Sequence, residues 1–517
     1  MAIIDFFDRG WRIAPHGIAY IQDERSYSFQ EIGELSCRVA NGLIAAGLAK
    51  ETKAAVWADN DVTAWGCALG LWRAALAYIP VNGRSTPAEN QFILDLFDCE
   101  ALFFQQAFAP AIEAVRASLP KVKLWVCIDA DLAWAPSLAT WSAGQPTTMP
   151  LVDYDMDDVV TLSATGGTTG APKGVMNTHR SFQTYFAQFM TAFPYGVERP
   201  VNLAAAPMTH TAGMLSLPCT ARGGTVVVLP KPDPALLLRA IAMHRVTEFF
   251  LPPTVIYRLL DIPGIAALDF SSLKYFLYGA APMSVEKLKR AIDVFGPVMA
   301  GGYGQTEAPA SISNMTPAEH FVDGKLASDE RLSSVGRPNP LVRVDIMNER
   351  GEVLPQGQTG EICVRGDLVM KGYYKAPDKT AETIIDGWLH TGDIGHLDAE
   401  GYLHITDRKK DMIISGGFNV YPSEIEQVIW AHPAVQDCAV IGVPDEKWGE
   451  AVKAVVELNA GQSVNAEELV ALCKEKLGSV KAPKSVDFVP ALPRSTVGKV
   501  LKKDLREQYW QGLERKI

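Results

Sequence analysis

The sequence predicts an α/β protein: a large N-terminal domain of stacked α/β sheets with a β-rich subdomain, and a small α+β C-terminal domain. Three observations predict this. At 517 residues the chain is too long for one hydrophobic core. Helical patterns alternate with short apolar β-type runs through most of its length, as when helices cover largely parallel sheets. From about residue 342 the pattern changes to short alternating strands between Gly and Pro turns. After the charged run Asp407-Arg408-Lys409-Lys410-Asp411 it changes again, to a compact α+β unit. That run is the candidate boundary, although a charged run by itself usually marks only a solvated turn.

In chain order, period and composition predict a helix over 29–46, a strand over 54–58, a helix over 88–97 and strands over 101–104, 124–128 and 159–162. A strand over 225–229, a helix over 235–244, strands over 248–251 and 274–278 and a helix over 285–295 follow. The β-rich part should hold strands over 342–346, 360–365 and 401–405. The last unit reads as a helix near 423–431, strands near 435–443 and 451–458, and a helix near 466–477. Residues 62–81, VTAWGCALGLWRAALAYIPV, have the length of a marginal membrane span. Arg73 in the middle and Pro80 near the end favour a buried helix running into a strand at 77–81.

Composition narrows the function classes. Apolar residues make up 48% and charged residues 21%, which argues against disorder. A net charge of −11 disfavours broad nucleic-acid or anionic-membrane binding. The eight cysteines are scattered without a CxxC pair or a ligand-spaced His cluster, which argues against disulfides and structural zinc and for a reducing cytoplasm. The start, MAIIDFFDRGW, lacks the basic and apolar regions of a signal peptide.

Residues 165–175, TGGTTGAPKGV, carry the strongest chemical signal. A Gly/Thr-rich loop after a β-type run presents backbone N–H groups, hydroxyls and the Lys173 ammonium to a small space, as a polyphosphate requires. It is not a Walker A loop, because Lys173 sits between Pro172 and Gly174 rather than opening a helix. Taken alone, the segment could still be a surface turn.

Five further segments occur with it in order: YGAAP (278–282), GGYGQTE (301–307), GWLHTGD (387–393), DRKKDMIISGGFNVYPSEIE (407–426) and PRSTVGKVLKKDL (493–505). Together the six resemble the adenylate-forming superfamily of acyl-CoA synthetases, luciferases and non-ribosomal adenylation domains, from about residue 10 to about 510. The resemblance implies an enzyme of fatty-acid or aryl-acid metabolism that uses ATP, Mg²⁺ and coenzyme A. Its domains would be 1–408, with the ATP and acyl sites, and a mobile 409–517, joined by a hinge at Lys410. Its partners would be a carboxylic acid and CoA, with no nucleic acid and no transmembrane segment, and a homodimer is compatible with it.

Roles follow residue by residue from that resemblance. Thr165, Gly166, Gly167, Thr168, Thr169, Gly170 and Lys173 would hold the ATP phosphates. Gly279, Ala280, Ala281 and Pro282 would approach the adenine and the acyl group, and Gly302, Tyr303 and Gly304 would continue that wall with Tyr303 as a stacking face. Thr306 can donate to a phosphate oxygen, and Glu307 is an oxygen ligand suited to Mg²⁺, although a lone Glu is by default a solvated loop acid. Asp393 would accept the ribose hydroxyls, with Ile405 and Arg408 beside the same nucleotide. Lys499 is the principal catalytic candidate, a cation for the charge that develops at the α-phosphate.

His210, in PMTHTAGM, would gate or line the acyl pocket with Phe249, Gly279 and Gly304, and with Phe250 and Met214 as further apolar walls. No carboxylate follows it in Thr211-Ala212-Gly213-Met214, which argues against a substrate with an α-amine. Ser415, Gly416 and Gly417 would form a channel for CoA, with Trp448 near its nucleotide unless it is a core aromatic. In Val480-Lys481-Ala482-Pro483-Lys484 the aromatic and second basic residue of many CoA-using relatives are absent. An amine or a carrier-protein thiol therefore stays open as the final acceptor. A nucleotide-binding regulatory protein without turnover is the third reading, which Lys499, Glu307 and Asp393 oppose.

Overall fold

A computed structural model describes residues 1–165, 172–445, 447–494 and 500–510. Among them, nine strands form the first sheet, in the order Arg337–Pro338, Ala308–Met315, Met299–Gln305, Tyr275–Gly279, Glu248–Leu251, Val201–Ala204, Thr225–Val228, Ile18–Gln22 and Arg25–Ser28. From Met299–Gln305 to Ile18–Gln22 every pairing is parallel, and the outer strands are antiparallel. A second sheet runs Gly372–Tyr373, Lys173–Thr178, Val159–Thr165, Ala77–Pro80, Lys53–Trp57, Ala101–Phe104 and Leu124–Cys127, parallel except at its first two pairings.

Helices lie between these two sheets and on their outer faces. Phe29–Ala45 starts at a capping box, in which the Ser28 side chain accepts from Glu31 N while Glu31 reaches back to Ser28 N. Pro87–Leu96 starts the same way, from Thr86 and Glu89. The segment weighed as a membrane span is the helix Val62–Arg73 followed by the strand Ala77–Pro80. Arg73 is 2% exposed and grips Asp8 with two hydrogen bonds, of 2.5 and 3.0 Å. No helix among the described residues is long and apolar enough to cross a membrane. All eight cysteines are buried and free.

An antiparallel sheet of Arg343–Met347, Gly360–Arg365, Trp388–Leu397, Ile384–Ile385 and Leu403–Arg408 packs into the same large core through Val344, Ile362, Leu389 and Leu403. The strand expected over 401–405 is displaced to Leu403–Arg408. Gly401, at φ +81°, belongs instead to the preceding turn, where its N–H donates to Asp398. The last sheet holds Phe418–Val420, Ile413–Ser415, Gly449–Leu458, Val435–Asp445 and Ser485–Val489. Ile413, Ile425, Ile429, Val440, Val452 and Leu469 give it a core of its own.

Candidate active site

Gly279 and residues 302–304 lie at the ends of adjacent parallel strands of the first sheet. Gly279 closes its strand opposite Gly302. A Cβ on Gly279 would stand 2.8 Å from the Gly302 carbonyl, so glycine lets these strands carry a narrow wall. Ala280 follows in the left-handed region at φ +65°, a conformation that is costly for a residue with a Cβ. Ala281 is half-buried and Pro282 exposed. At Gly304 a Cβ would lie 2.6 Å from the Ala310 nitrogen.

Thr165 and Lys173 face each other across the antiparallel pair Val159–Thr165 and Lys173–Thr178, and the Thr165 hydroxyl donates to the Lys173 carbonyl at 3.4 Å. Gly166, Gly167, Thr168, Thr169 and Gly170 lie outside the described residues, and so does Lys499. The Lys173 ammonium stands 4.7 Å from the centre of the Tyr373 ring. The Tyr373 hydroxyl donates to Oε1 of Glu307 at 2.8 Å. Burial and then the charge of Glu307 push that phenol's pKa up. Asn177 holds the Thr306 carbonyl at 3.0 Å, and the Met370 N–H holds that of Glu307 at 2.8 Å. The half-buried Thr306–Glu307 turn is thus fixed beside the flanks of the Gly/Thr-rich loop.

Tyr303, 8% exposed, donates its hydroxyl to Oδ2 of Asp393 at 2.6 Å. Arg408, paired with Asp393 in strand register, brings Nε to 3.3 Å from Oδ1. Ile405 is half-buried opposite Gly395 on the same strand. Two contact groups result, Lys173–Tyr373–Glu307 and Tyr303–Asp393–Arg408, joined by the backbone that runs from Tyr303 to Glu307.

His210 caps the helix Thr211–Ala221, its Nδ1 2.9 Å from the Thr209 hydroxyl. Burial pushes its imidazole down to about 4, so it is neutral at pH 7. Phe250 is half-buried with its ring 3.7 Å from where a Gly279 Cβ would be, and Met214 is buried nearby in the chain. Phe249 does not join them. It is 0% exposed and stacks on Phe276 at 4.1 Å in the core behind the sheet. Adjacent strand residues point to opposite faces, so of the two expected wall residues Phe250 shares the face of the Gly279 turn and Phe249 does not.

In the C-terminal unit, the Gly416 N–H donates to the Trp448 carbonyl at 2.8 Å, and a Cβ on Gly416 would meet the Trp448 ring at 2.6 Å. Ser415 is buried, Gly417 is exposed, and Trp448 is 41% exposed, so Trp448 is not a core aromatic. Lys410 sits half-buried in the turn between Leu403–Arg408 and Ile413–Ser415, where burial and then Arg408 lower its pKa. Contacts tie both sides of that turn: Lys409 to Glu361 at 3.4 Å, Asp411 to Arg506 at 2.6 Å, and Asp407 to the Ser423 N–H at 2.9 Å.

Tyr373, Asn177 and Glu361 were not expected at the site. Each arrives through non-local strand pairing, such as Gly372–Tyr373 with Lys173–Thr178, that no local pattern announces.

The family described as AMP-binding enzyme matches residues 7–374, and the AMP-binding enzyme C-terminal domain matches residues 424–499. The medium/long-chain-fatty-acid–CoA ligase FadD8 of Mycobacterium tuberculosis is 42% identical over 72% of the chain, a match that spans 65% of that relative. A feruloyl-CoA synthase of an Amycolatopsis species is 34% identical over 96% of the chain and 97% of its own length. Among solved structures, ATP-bound MatB of Rhodopseudomonas palustris superposes with a TM-score of 0.88 at 31% identity, over 98% of this chain and 99% of its own. The amide bond synthetase McbA of Marinactinospora thermotolerans also reaches 0.88, at 29% identity, over 98% of this chain and all of its own.

Proposed function

The chain belongs to the AMP-binding enzymes of the adenylate-forming superfamily, and on that premise we propose that it is an AMP-forming carboxylate–CoA ligase. The acid, fatty or aryl and without an α-amine, is activated to acyl-AMP with release of pyrophosphate and is then passed to CoA as a thioester. The observation that supports the assignment is the pair of contact groups Lys173–Tyr373–Glu307 and Tyr303–Asp393–Arg408 on neighbouring stretches of one backbone. In this reading Lys173 is the phosphate-side cation, Glu307 the metal-side carboxylate and Asp393 the ribose-side carboxylate.

In the first half-reaction the substrate carboxylate is itself the nucleophile, so no general base is required. Its oxygen attacks the α-phosphorus, the α–β bridging bond breaks, and pyrophosphate leaves with the electron pair. Catalysis is positioning and charge stabilisation. The Thr165–Lys173 loop orients the leaving pyrophosphate, Asp393 and Arg408 fix the ribose, and Lys499 meets the charge on the α-phosphoryl oxygens. Glu307 would hold Mg²⁺. A single protein carboxylate suits that ion, because phosphate oxygens and water complete its shell. When bound, Mg²⁺ neutralises phosphate charge. Neutral His210 lines the acyl entrance without adding a charge there.

In the second half-reaction residues 409–517 turn about Lys410, withdraw Lys499 and present Ser415–Gly417 and Trp448 to CoA. The thiol sulfur attacks the acyl carbonyl carbon and gives its proton to water, the carbon–oxygen bond to the phosphate breaks, and AMP leaves with that electron pair. A cytoplasmic setting fits the eight unpaired thiols. ATP–pyrophosphate exchange with a panel of carboxylic acids, followed by assay of CoA consumption, tests this reading. Exchange that depends on an acid, with CoA consumed, is expected. Absence of exchange with every acid would refute it, and exchange without CoA consumption would select an amine or carrier-protein acceptor.

A further inference from the structure

The strand pair that carries Asp393 is interrupted where Asp393 sits. Glu361 pairs with Ile394 and Cys363 with His390, so Thr391, Gly392 and Asp393 together oppose Ile362 alone. A bulge of this kind re-aims side chains and takes ladder partners from the bulged residues. Gly392 absorbs the excess at φ +72°, where a Cβ is costly. Side chains meet the freed backbone groups. Oε1 of Glu361 accepts the Gly392 N–H at 3.1 Å. The Thr391 hydroxyl accepts the Asp393 N–H at 3.1 Å and donates to the Ile362 carbonyl at 2.7 Å. Two successive residues of the strand Gly360–Arg365 thus grip the turn that carries the ribose-side carboxylate.

Glu361 reaches towards the hinge with its other oxygen. Oε2 stands 3.4 Å from the Lys409 ammonium and 3.2 Å from Nδ1 of His390. The Lys409 backbone is tied to the same turn, since its N–H donates to the Gly392 carbonyl at 2.9 Å. Lys409 directly precedes Lys410, so both ties hold the segment that enters the hinge against the Gly392 turn. One carboxylate, on a side chain only 13% exposed, therefore contacts the nucleotide turn and the approach to the hinge at once.

We propose that Glu361 is a positioning residue that sets the Asp393 carboxylate against the hinge, holding the Gly392 turn with one oxygen and Lys409 with the other. An ionised carboxylate has lone pairs enough for both. The Gly392 bond is charge-assisted and is the stronger of the two. Lys409 has a side chain 50% exposed, so its ion pair with Glu361 is weaker. ATP affinity therefore depends on the first contact and hinge motion on the second. This role rests on the ligase reading, which puts the ribose at Asp393 and the hinge at Lys410, and it adds the side chain that joins them.

Calorimetry with ATP and single-turnover kinetics of the two half-reactions test this role. Glu361→Ala loses both contacts and should raise the Kd for ATP roughly 10-fold. The near-isosteric Glu361→Gln keeps an acceptor for Gly392 but loses the charge facing Lys409, so its Kd should stay within about threefold. Glu361→Gln and Lys409→Met should each slow thioester formation from bound acyl-AMP by about 1.5- to 5-fold, and the double variant by no more than either alone. An unchanged Kd in Glu361→Ala, or an equal rise in the Ala and Gln variants, would overturn the tie to the nucleotide turn. Additive slowing in the double variant would overturn the tie to the hinge, and that cycle decides even where Glu361→Ala does not fold. Absence of acid-dependent exchange in the unaltered protein would fail the ligase reading, while ATP binding by the variants would still report on the Gly392 contact.

Discussion

The hydroxyl of Tyr303 donates to Oδ2 of Asp393 at 2.6 Å, while Arg408 approaches Oδ1 at 3.3 Å. One buried carboxylate is thus held from two elements, with its charge fixed at the end of the first sheet. Asp393→Asn should lower kcat/KM for ATP by about 10- to 100-fold, because hydrogen bonds to a charged group contribute roughly 1.5–3 kcal/mol. Tyr303→Phe keeps the ring and loses one neutral donor, so its loss should stay within about tenfold. Initial rates at varied ATP decide the matter, and an unchanged KM for ATP in Asp393→Asn would remove Asp393 from the ribose site.

Lys499→Ala should cost the adenylation step at least about 10²–10³ in rate, the usual effect of removing one group that meets developing charge. Thioesterification of added acyl-AMP should persist in the same variant, because the proposed rotation about Lys410 uses Lys499 in the first half-reaction only. Equal loss in both half-reactions would contradict the hinge at Lys410.

Asp8 and Arg73 make a buried, two-bonded ion pair, 5% and 2% exposed. Asp8→Ala or Arg73→Met alone should destabilise the protein by about 3–5 kcal/mol, since each strands a buried charge. The double change Asp8→Leu with Arg73→Met should recover most of that loss. Denaturant midpoints measure it, and additive losses in the double variant would show that the pair is not coupled.

His179 is 1% exposed and accepts the Ile3 N–H on Nδ1 at 2.9 Å. Burial lowers its pKa from 6.5 to about 4, with the N-terminus and Lys50 assisting and Asp158 and Asp155 opposing. Its folded-state pKa is depressed, so between these two values the unfolded chain binds more protons. The stability it contributes is therefore complete above pH 6.5 and is lost as pH falls towards 4, by roughly 3 kcal/mol at most. Melting temperature against pH should fall less steeply over that window in His179→Asn, which can still accept from Ile3. Parallel curves for the two proteins would exclude His179 as the titrating group.

Much of the scaffold was legible because it follows local rules. The helix Val285–Phe295 and the strands Ala101–Phe104 and Glu248–Leu251 appear where period and composition place them. Arg73 inside an apolar run was readable as evidence against a membrane span, but its partner Asp8, 65 residues away, was not. Phe249 and Phe250 show a sharper limit: composition marks an apolar strand, but only the sheet's two covers decide which neighbour faces the core. Tyr373 and Asn177 reach the site through pairing between distant strands and a carbonyl contact, so nothing local distinguished them.

In the proposed first half-reaction the acid's own oxygen attacks the α-phosphate. Turnover of a carboxylic acid labelled with ¹⁸O in its carboxylate, followed by mass spectrometry of the nucleotide product, tests it directly. AMP carrying one ¹⁸O is expected, because the attacking oxygen remains on phosphorus when the thiol displaces AMP. Unlabelled AMP, or ADP with labelled phosphate, would contradict it.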